Sequence, residues 1–505
     1  MSIPTPELSA LDGSHLTIAD VARVAREPGL APTLHPSARA RMAAGRAVVE
    51  QAVASGRVVY GLTTGFGRFS DVAIPEADRG RLQVNLIQSH SAGVGDPVPP
   101  PVARAMVLLR ANALAKGFSG ARPVLVERLL DLLAHDIVPE IPRFGSVGAS
   151  GDLAPLAHLA LVLTGRGFAT WRGERLPGGE ALRRAGLAPV ELEAKEGLAL
   201  INGTQMMTGY AALMVDQAQQ LADWADLAAA LTVDVLRGIP DPFDERIAAV
   251  RPHPGHAITA RHLREALEGS RLTTHPGELR VQDAYSLRCT PQIHGASRDA
   301  LAHIAEVVER EINAATDNPL IFADDDWVVS AGNFHGQPVA LALDYLAVAL
   351  AELADVSERR IERMVNPALS GLPPFLVREG GLNSGLMLAQ YTAAALVSQN
   401  KVLAHPASVD SIPTSANQED HVSMGSVSAV KAHDVLRNLA WVIGAELICG
   451  AQAAELVGPD RLGQGTRAAY EWVRQRVAPW DQDRVLSPDL ERVGADLLAS
   501  AEGPR

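Results

Sequence analysis

The chain has 505 residues, 47% of them hydrophobic, and a formal net charge of −13. This acidic balance argues against nucleic acid or an anionic membrane as a partner, because both attract basic surfaces. Two cysteines are too few for a disulfide framework, and residues 1–13 show no signal-peptide pattern, so we expect a soluble, cytoplasmic protein.

The N-terminal part of the chain mixes short helical and extended patterns. We predict a smaller mixed region over residues 1–110 and an elongated helical domain over residues 111–505. Arg57–Tyr60 has the pattern of a short strand, and Val102–Ala115 begins the helical part of the chain.

Two polar residues stand out within this first region. Tyr60 opens the loop Tyr60–Gly67, whose glycine spacing does not match a phosphate-binding loop. Taken alone, the loop is a flexible surface segment with an aromatic anchor. His90 ends the stretch Leu82–His90, and a lone histidine is more often a structural hydrogen-bonding residue than a ligand contact.

A glycine-rich loop, Gly148–Asp152, runs directly into an apolar stretch that has the pattern of a buried helix. One interpretation is a turn with a helix cap, in which Ser150 or Asp152 accepts hydrogen bonds from first-turn amides. The other is chemical. The backbone nitrogen of Gly151 attacks the carbonyl carbon of Ala149, water is lost, and Ser150 loses its hydroxyl to leave an exocyclic methylidene. Such a ring is an electrophile that ordinary side chains do not provide.

Long helices are predicted for most of the remaining chain. Tyr210–Arg237 contains no glycine or proline and carries an apolar stripe at spacings of four and three, which predicts a core-facing helix. Trp327–Ser330 has the pattern of a strand. The fold class is therefore mainly α, built as a bundle of long helices. Further long helices are predicted over Ser297–Thr316, Pro338–Val365, Leu382–Leu403 and Met424–Val457.

Polar clusters lie beside several of these helices. Asn202 and Thr204 precede the helix at Tyr210 and suit N-cap positions. Asn417–Met424, which contains Glu419, also has the composition of a capping segment.

The segment Gln282–Cys289 has the residue types of an amino-acid binding site. Arg288 can hold a carboxylate through two parallel hydrogen bonds. Gln282 and Tyr285 would share one face if this segment is helical. A surface polar turn is the alternative, but it fits poorly with the tyrosine, leucine and cysteine among the polar residues.

Lysine and histidine usage bears on cofactors. The chain has four lysines, and none lies beside a phosphate-cradling glycine loop, which disfavours pyridoxal phosphate on a lysine Schiff base. His253 and His256 are close in the sequence, with His262 further on, but the flanking Pro252 indicates a turn, and no cysteine pair supports a zinc site. We therefore expect neither pyridoxal phosphate nor a required metal.

Taken together, these stretches resemble the family of histidine, phenylalanine and tyrosine ammonia-lyases. Ala149-Ser150-Gly151 matches its Ala-Ser-Gly signature, and the matching stretches extend from Tyr60 to Met424. The family forms a methylidene-imidazolone group from the signature, so the resemblance implies the same group here. It also implies a fumarase/aspartase-like helical fold and a homotetramer whose active sites combine residues of several chains.

The resemblance assigns roles to individual residues. Tyr60 is implied as the general base that removes the β-proton, and Tyr285 as a residue beside the electrophile. Arg288 and Asn202 are implied to orient the substrate carboxylate. Contacts with the substrate are implied for six residues in all: His90, Asn202, Gln282, Arg288, Phe334 and Glu419.

Two positions favour the histidine-specific branch of this family. The pair Ser89-His90 resembles that branch, and Glu419 matches a glutamate that contacts the substrate imidazole. The implied reaction is the non-oxidative elimination of ammonia from L-histidine to give trans-urocanate, the first step of histidine degradation. Whether the substrate's amine or its ring attacks the electrophile stays open. The alternatives are a tyrosine or phenylalanine ammonia-lyase or aminomutase of the same family, and a helical scaffold without activity.

Overall fold

The computed structural model describes residues 8–57, 64–65, 74–75 and 78–499. Within these residues the secondary structure is dominated by nineteen α-helices and includes seven short strands. The predicted mainly α fold is therefore confirmed. The helices are α1 (Ile18–Arg26), α2 (Pro36–Ala54), α3 (Arg79–His90), α4 (Pro100–Ala115), α5 (Pro123–Ala134), α6 (Leu153–Leu163), α7 (Gly178–Arg184), α8 (Glu196–Ile201), α9 (Gln205–Val235), α10 (Glu245–Val250), α11 (Pro254–Leu267), α12 (Tyr285–Arg288), α13 (Thr290–Glu311), α14 (Gln337–Val365), α15 (Pro367–Ser370), α16 (Met387–Leu403), α17 (Gly425–Val457), α18 (Gln464–Arg474) and α19 (Ser487–Ala499).

The described strands are three to four residues long and form three small antiparallel sheets. The predicted strand near Trp327 is confirmed as β7, whereas most of the predicted strand Arg57–Tyr60 lies outside the described residues. The strands are β1 (Val94–Pro97), β2 (Ile137–Pro139), β3 (Pro142–Phe144), β4 (Phe168–Trp171), β5 (Glu174–Pro177), β6 (Leu320–Phe322) and β7 (Trp327–Val329). β1 pairs with β3, β4 lies between β2 and β5, and β6 pairs with β7.

The chain forms two compact units. The first contains residues 1–216, 305–344 and 406–430, and the second contains residues 217–304, 345–405 and 431–505. In the first unit, α4 packs on α1 and α5, and α6 packs on α3 and α8. In the second unit, α11 packs on α10 and α18. The division of the sequence at residue 110 stays a prediction; that residue lies inside α4.

The buried faces of the long helices follow the apolar patterns in the sequence. Every residue of the predicted stripe on α9 is buried. Asp234 lies off that stripe and is also buried, because hydroxyls of Ser270 and Thr466 and the amide of Gly463 all donate to its carboxylate. The stripe residues are Met214, Ala218, Leu221, Ala225, Ala228, Thr232 and Val235.

The ends of three long helices differ from the prediction by two residues or more. The helix predicted over Tyr210–Arg237 begins at Gln205 and ends at Val235. The helix predicted over Ser297–Thr316 begins at Thr290 and ends at Glu311, and the helix predicted from Leu382 begins at Met387. Among the described residues, one helix, α17, is long and apolar enough to cross a membrane, and 78% of its most apolar window is buried inside the protein. Such burial is typical of a core helix.

Candidate active site

The Gly148–Asp152 loop forms a tight turn with Ala149 and Ser150 at its tip. Gly148 and Gly151 pair as an isolated antiparallel bridge, and each has a φ of +70°. A Cβ atom on Gly151 would overlap the carbonyl oxygen of Gly203. Only glycine adopts this backbone conformation without cost in so little space. The turn therefore places the backbone of Gly148 and Gly151, which carry no side chains, on either side of Ala149 and Ser150.

Hydroxyl groups on both sides of the turn hold its backbone in place. The Ser146 hydroxyl oxygen lies 3.2 Å from the Gly151 carbonyl oxygen, and it accepts a hydrogen bond from the Gly148 amide at 3.1 Å. The Ser423 hydroxyl donates to the Gly148 carbonyl at 3.3 Å. The backbone on either side of Ala149 and Ser150 is consequently fixed by contacts from outside the turn.

Asp152 follows the turn and caps a helix other than its own. It occupies the N-cap position of α6, yet its side chain makes no capping hydrogen bond there. One carboxylate oxygen instead accepts the amides of Met206 and Met207, in the first turn of α9, at 2.9 Å each. The other accepts the Ser426 hydroxyl at 2.6 Å. The predicted cap of α6 by Ser150 or Asp152 is therefore wrong, because α9 provides the amides that Asp152 binds.

Asp152 is fully buried, and burial raises the pKa of its carboxyl to about 6. Hydrogen bonds from Ser426, Met207 and Met206 act in the opposite direction. The amides come from the first turn of α9, whose positive end therefore faces this carboxylate, and the Ser426 hydroxyl comes from the first turn of α17. On balance the surroundings therefore disfavour the charged form of this carboxyl, and the hydrogen bonds offset only part of the cost of its burial.

Glu419 lies beside the tip of the turn. One oxygen of its carboxylate is 3.5 Å from the Ser150 hydroxyl oxygen, and the other accepts the Thr414 hydroxyl at 2.6 Å. Thr414 and Glu419 also pair through their backbones as an isolated antiparallel bridge. The structure thus brings together two sequence-predicted positions that are separated by 269 residues.

His90 lies at the last residue of α3 and is electrostatically coupled to Glu419. Burial lowers the pKa of His90, while the charge of Glu419 acts to raise it. Its Nδ1 lies 2.9 Å from the Leu86 carbonyl oxygen, which can only accept a hydrogen bond. The proton of the neutral ring is therefore assigned to Nδ1, and Nε2 is left as an acceptor.

Asn202 is buried next to Gly203, the residue that pairs with Gly151. Its amide nitrogen donates to the Asp317 carboxylate at 3.3 Å and to the Asn318 carbonyl at 3.1 Å. Its side-chain oxygen is buried and has no hydrogen-bond partner among the described residues. The side chain is thus oriented by acceptors, and its unpaired oxygen can receive a donor.

The predicted capping of α9 by Asn202 or Thr204 is wrong. The Asn202 side chain bonds to residues 317 and 318, and the Thr204 hydroxyl donates to Glu311 at 2.5 Å. The amides of the first turn are bound by Asp152 instead.

A buried ion pair lies behind Asn202. The Lys195 ammonium group is 2.7 Å from the Asp317 carboxylate, and both side chains are almost completely buried. Burial lowers the pKa of Lys195, and the Asp317 charge partly offsets this effect. Arg110, also fully buried, donates to the Asn202 carbonyl at 2.7 Å. The orientation of Asn202 is therefore controlled by charged groups that the sequence patterns did not identify.

Phe334 is half-buried and lies three residues before the first residue of α14. The neighbouring His335 accepts the Gln337 amide through Nδ1 at 3.3 Å. Its Nε2 lies 3.2 Å from the His421 carbonyl oxygen and therefore carries the proton. His335 thus links the start of α14 to the segment that follows Glu419.

The predicted carboxylate-binding segment belongs to the second unit. α12 begins at Tyr285, so Gln282 lies outside the helix. The Tyr285 side chain is 70% exposed, and the Arg288 guanidinium stacks on its ring at 4.7 Å. Gln282 and Arg288 line a surface cavity of about 510 Å³, together with Cys289. These groups are accessible to a ligand or to another chain.

Tyr60 lies outside the described residues, so its role stays a prediction.

In the part of the chain that the structure describes, one group of side chains, in the second unit, has the spacing of metal ligands: Asp223, Asp226 and His262. Arg298 already donates to both carboxylates, at 2.7 and 2.6 Å, which makes this group an ion-pair network.

Comparisons with known proteins establish the family of this chain. The profile of the aromatic amino acid lyase family matches residues 16–475, and the chain belongs to this family. Histidine ammonia-lyase from Symbiobacterium thermophilum is 58% identical over 490 residues, which cover 97% of this chain and 96% of the relative. The enzyme of the same name from Alkaliphilus metalliredigens is 56% identical over 483 residues, 96% of this chain and 95% of the relative.

Solved structures show the same backbone. Histidine ammonia-lyase from Trypanosoma cruzi has a TM-score of 0.91 and 44% identity, covering 98% of this chain and 94% of its own. Tyrosine aminomutase from Streptomyces globisporus has a TM-score of 0.94 and 39% identity, covering 98% and 97%. Enzymes with different names therefore share this fold, and side chains at the site must separate their substrates.

Proposed function

We propose that this chain is a histidine ammonia-lyase, which eliminates ammonia from L-histidine to give trans-urocanate. The observation that carries the proposal is the position of Glu419, whose carboxylate lies 3.5 Å from the hydroxyl of Ser150 at the tip of the turn. An acid beside the tripeptide suits a substrate whose ring carries an N–H group. The relatives named histidine ammonia-lyase, at 52–58% identity over nearly the whole chain, support the same assignment.

The tripeptide Ala149-Ser150-Gly151 is proposed to form the family's methylidene-imidazolone. The residues fit this group, since Gly151 has no room for a side chain, the small side chain of Ala149 leaves its carbonyl open to attack, and Ser150 has a hydroxyl to lose. When formed, the group supplies an electron-poor alkene, the electrophile that activates the loss of ammonia. We propose no further cofactor, neither pyridoxal phosphate nor a metal.

Binding of the imidazole ring is proposed to involve Glu419 and His90. Glu419 keeps one oxygen on Thr414 and has the other on the side of Ser150. His90 presents Nε2 as an acceptor, because Nδ1 is bound to the Leu86 carbonyl. A phenyl ring has no N–H group, so binding it would leave the second Glu419 oxygen and His90 Nε2 without a donor.

The remaining roles follow from the chemistry that the elimination needs. A β-proton must move to a base, for which we propose Tyr60, as the carbon–nitrogen bond breaks. Arg288 and Gln282 are proposed to bind the carboxylate, with Tyr285 beside the electrophile and Phe334 lining the site. The unpaired oxygen of Asn202 can accept a hydrogen bond but cannot donate one, which suits the substrate's amino group better than its carboxylate.

A homotetramer with shared active sites is proposed for this chain. Leu341, Tyr345 and Val348 are about half exposed and recur at spacings of four and three along α14. Leu388 and Tyr391 form a similar exposed pair on α16. Apolar residues along a helix face indicate packing against another surface, and further copies of the chain would cover them. We propose the cytoplasm as its location.

The proposal is tested by assaying the purified chain with L-histidine, L-tyrosine and L-phenylalanine, following the absorbance of urocanate, coumarate and cinnamate. We expect turnover of histidine and an intact mass lower than the sequence mass by two water molecules. Ser150→Ala should keep the fold and lose both properties. Glu419→Gln should reduce turnover of histidine by about 10²-fold, since it replaces a charged acceptor in the site. Preferred turnover of tyrosine or phenylalanine would reject the proposal in favour of the aromatic-specific enzymes.

A further inference from the structure

The segment that carries Glu419 is a short hairpin with a strained tip. Thr414 and Glu419 pair at its base, with the Thr414 amide donating to the Glu419 carbonyl at 3.0 Å and the Glu419 amide donating to the Thr414 carbonyl at 3.3 Å. Between them, Ser415, Ala416 and Asn417 have φ values of +51°, +53° and +66°. Residues with side chains rarely adopt this conformation, and three in succession persist only where their surroundings impose it.

The hairpin is anchored on the side that leads to the tripeptide. The Ser411 hydroxyl accepts the Val422 amide at 3.0 Å. The Met424 amide donates to the Val147 carbonyl at 2.9 Å, one residue before the turn that contains Ala149 and Ser150. The backbone of the hairpin is therefore fixed relative to the tripeptide, and the side-chain torsions of Glu419 are what remain to be set.

One side-chain hydrogen bond restricts those torsions. The Thr414 hydroxyl donates to one Glu419 oxygen at 2.6 Å, a short distance typical of a hydroxyl bound to a carboxylate. The second oxygen is the one near Ser150, and within the part of the chain that the structure describes its only hydrogen-bond contact is that one at 3.5 Å. Glu419 thus has one oxygen occupied within its own hairpin and one directed toward the reacting tripeptide.

We propose that Thr414 is a positioning residue that determines specificity for the substrate's imidazole ring. It does not touch the substrate; it orients Glu419 so that a single carboxylate oxygen is presented to the ring N–H. The strained turn at residues 415–417 brings the two side chains onto the same side of the backbone bridge. This inference rests on the proposed function, because it names the residue that positions the imidazole-binding acid.

The test compares Thr414→Val, which keeps the branched shape and removes the hydroxyl, with Thr414→Ser, which keeps the hydroxyl. For each variant we measure kcat and KM for L-histidine, and the binding of trans-urocanate by calorimetry. Thr414→Val should reduce kcat/KM by about tenfold to hundredfold, mainly through KM, and weaken urocanate binding by a similar factor. Thr414→Ser should stay within about threefold of the parent.

A double-mutant cycle separates positioning from a structural effect on the hairpin. In a Glu419→Gln background, Thr414→Val should change urocanate binding by less than about twofold, because the acid that it orients is already gone. If Thr414→Val weakens urocanate binding equally in both backgrounds, the inference is overturned. A Thr414→Val enzyme that binds urocanate as tightly as the parent would overturn it as well. If the parent itself neither binds urocanate nor converts histidine, the proposed function fails, and this inference fails with it.

Discussion

The buried carboxylate of Asp152 leads to a prediction about stability and pH. Burial raises its pKa from 3.8 to about 6, so the folded protein binds a proton more readily than the unfolded chain does. The contribution of Asp152 to the free energy of unfolding should therefore be most favourable below pH 3.8. It should fall as the pH rises through 6. At about 1.4 kcal/mol per pH unit, the full loss is about 3 kcal/mol.

Asp152→Asn removes the charge and keeps the shape of the side chain. The amide oxygen can still accept the Met206 and Met207 amides, and the amide nitrogen can donate to the Ser426 hydroxyl oxygen. Because the variant cannot ionise here, it should gain about 2 kcal/mol relative to the parent between about pH 4.5 and 7.5. The rest of the 3 kcal/mol difference develops below about pH 4.5.

The assay is urea unfolding of the parent and the variant at matched pH values, taking the difference at each pH so that other titrating groups cancel. Asp325→Asn makes the same chemical change at an exposed position and serves as the control. If the difference in the free energy of unfolding between Asp152→Asn and the parent does not vary with pH, the reasoning is refuted. A parent that becomes more stable than the variant as pH rises would refute it as well.

Two further predictions concern backbone space and buried charge. Gly151→Ala places a Cβ atom against the Gly203 carbonyl at positive φ. We expect mass spectrometry to show an uncyclised chain and the activity assay to show no turnover of histidine. Gly80→Ala, where nothing lies within 4 Å of the added atom, is the control and should match the parent in both assays. Lys195→Met removes the ion-pair partner of the buried Asp317 and should lower the free energy of unfolding by roughly 3–5 kcal/mol, measured by denaturant titration. Arg183→Ala breaks an exposed ion pair and should have little effect. Equal stability of the two variants would contradict the argument.

The sequence was sufficient for features that depend on local patterns. The stripe on α9 identified a buried helix face because spacings of three and four place residues on one side of a helix. The helix predicted over Pro338–Val365 matches α14, because Asn366-Pro367 ends it. The resemblance placed Ser150 and Glu419 in one site, and the structure brings these two residues together.

Features that depend on contacts between distant segments were missed. Asp152 has the appearance of a cap for the helix that follows it, but its partners are the amides of Met206 and Met207, about fifty residues away. Lys195 looked like an ordinary charged residue, and only the fold shows that it is buried against Asp317. No spacing rule connects residues whose proximity is created by tertiary packing.

The left-handed residues at 415–417 bear on attempts to redesign the enzyme for other amino acids. Position 419 is an obvious target for a library, because its side chain lies beside Ser150 in the proposed tripeptide. A new side chain there would lose the Thr414 hydroxyl as a partner, and the hairpin would lose a contact that helps to keep three residues in a costly conformation. Libraries that vary residues 414–417 together with residue 419 should therefore yield more folded, active variants than libraries that vary position 419 alone.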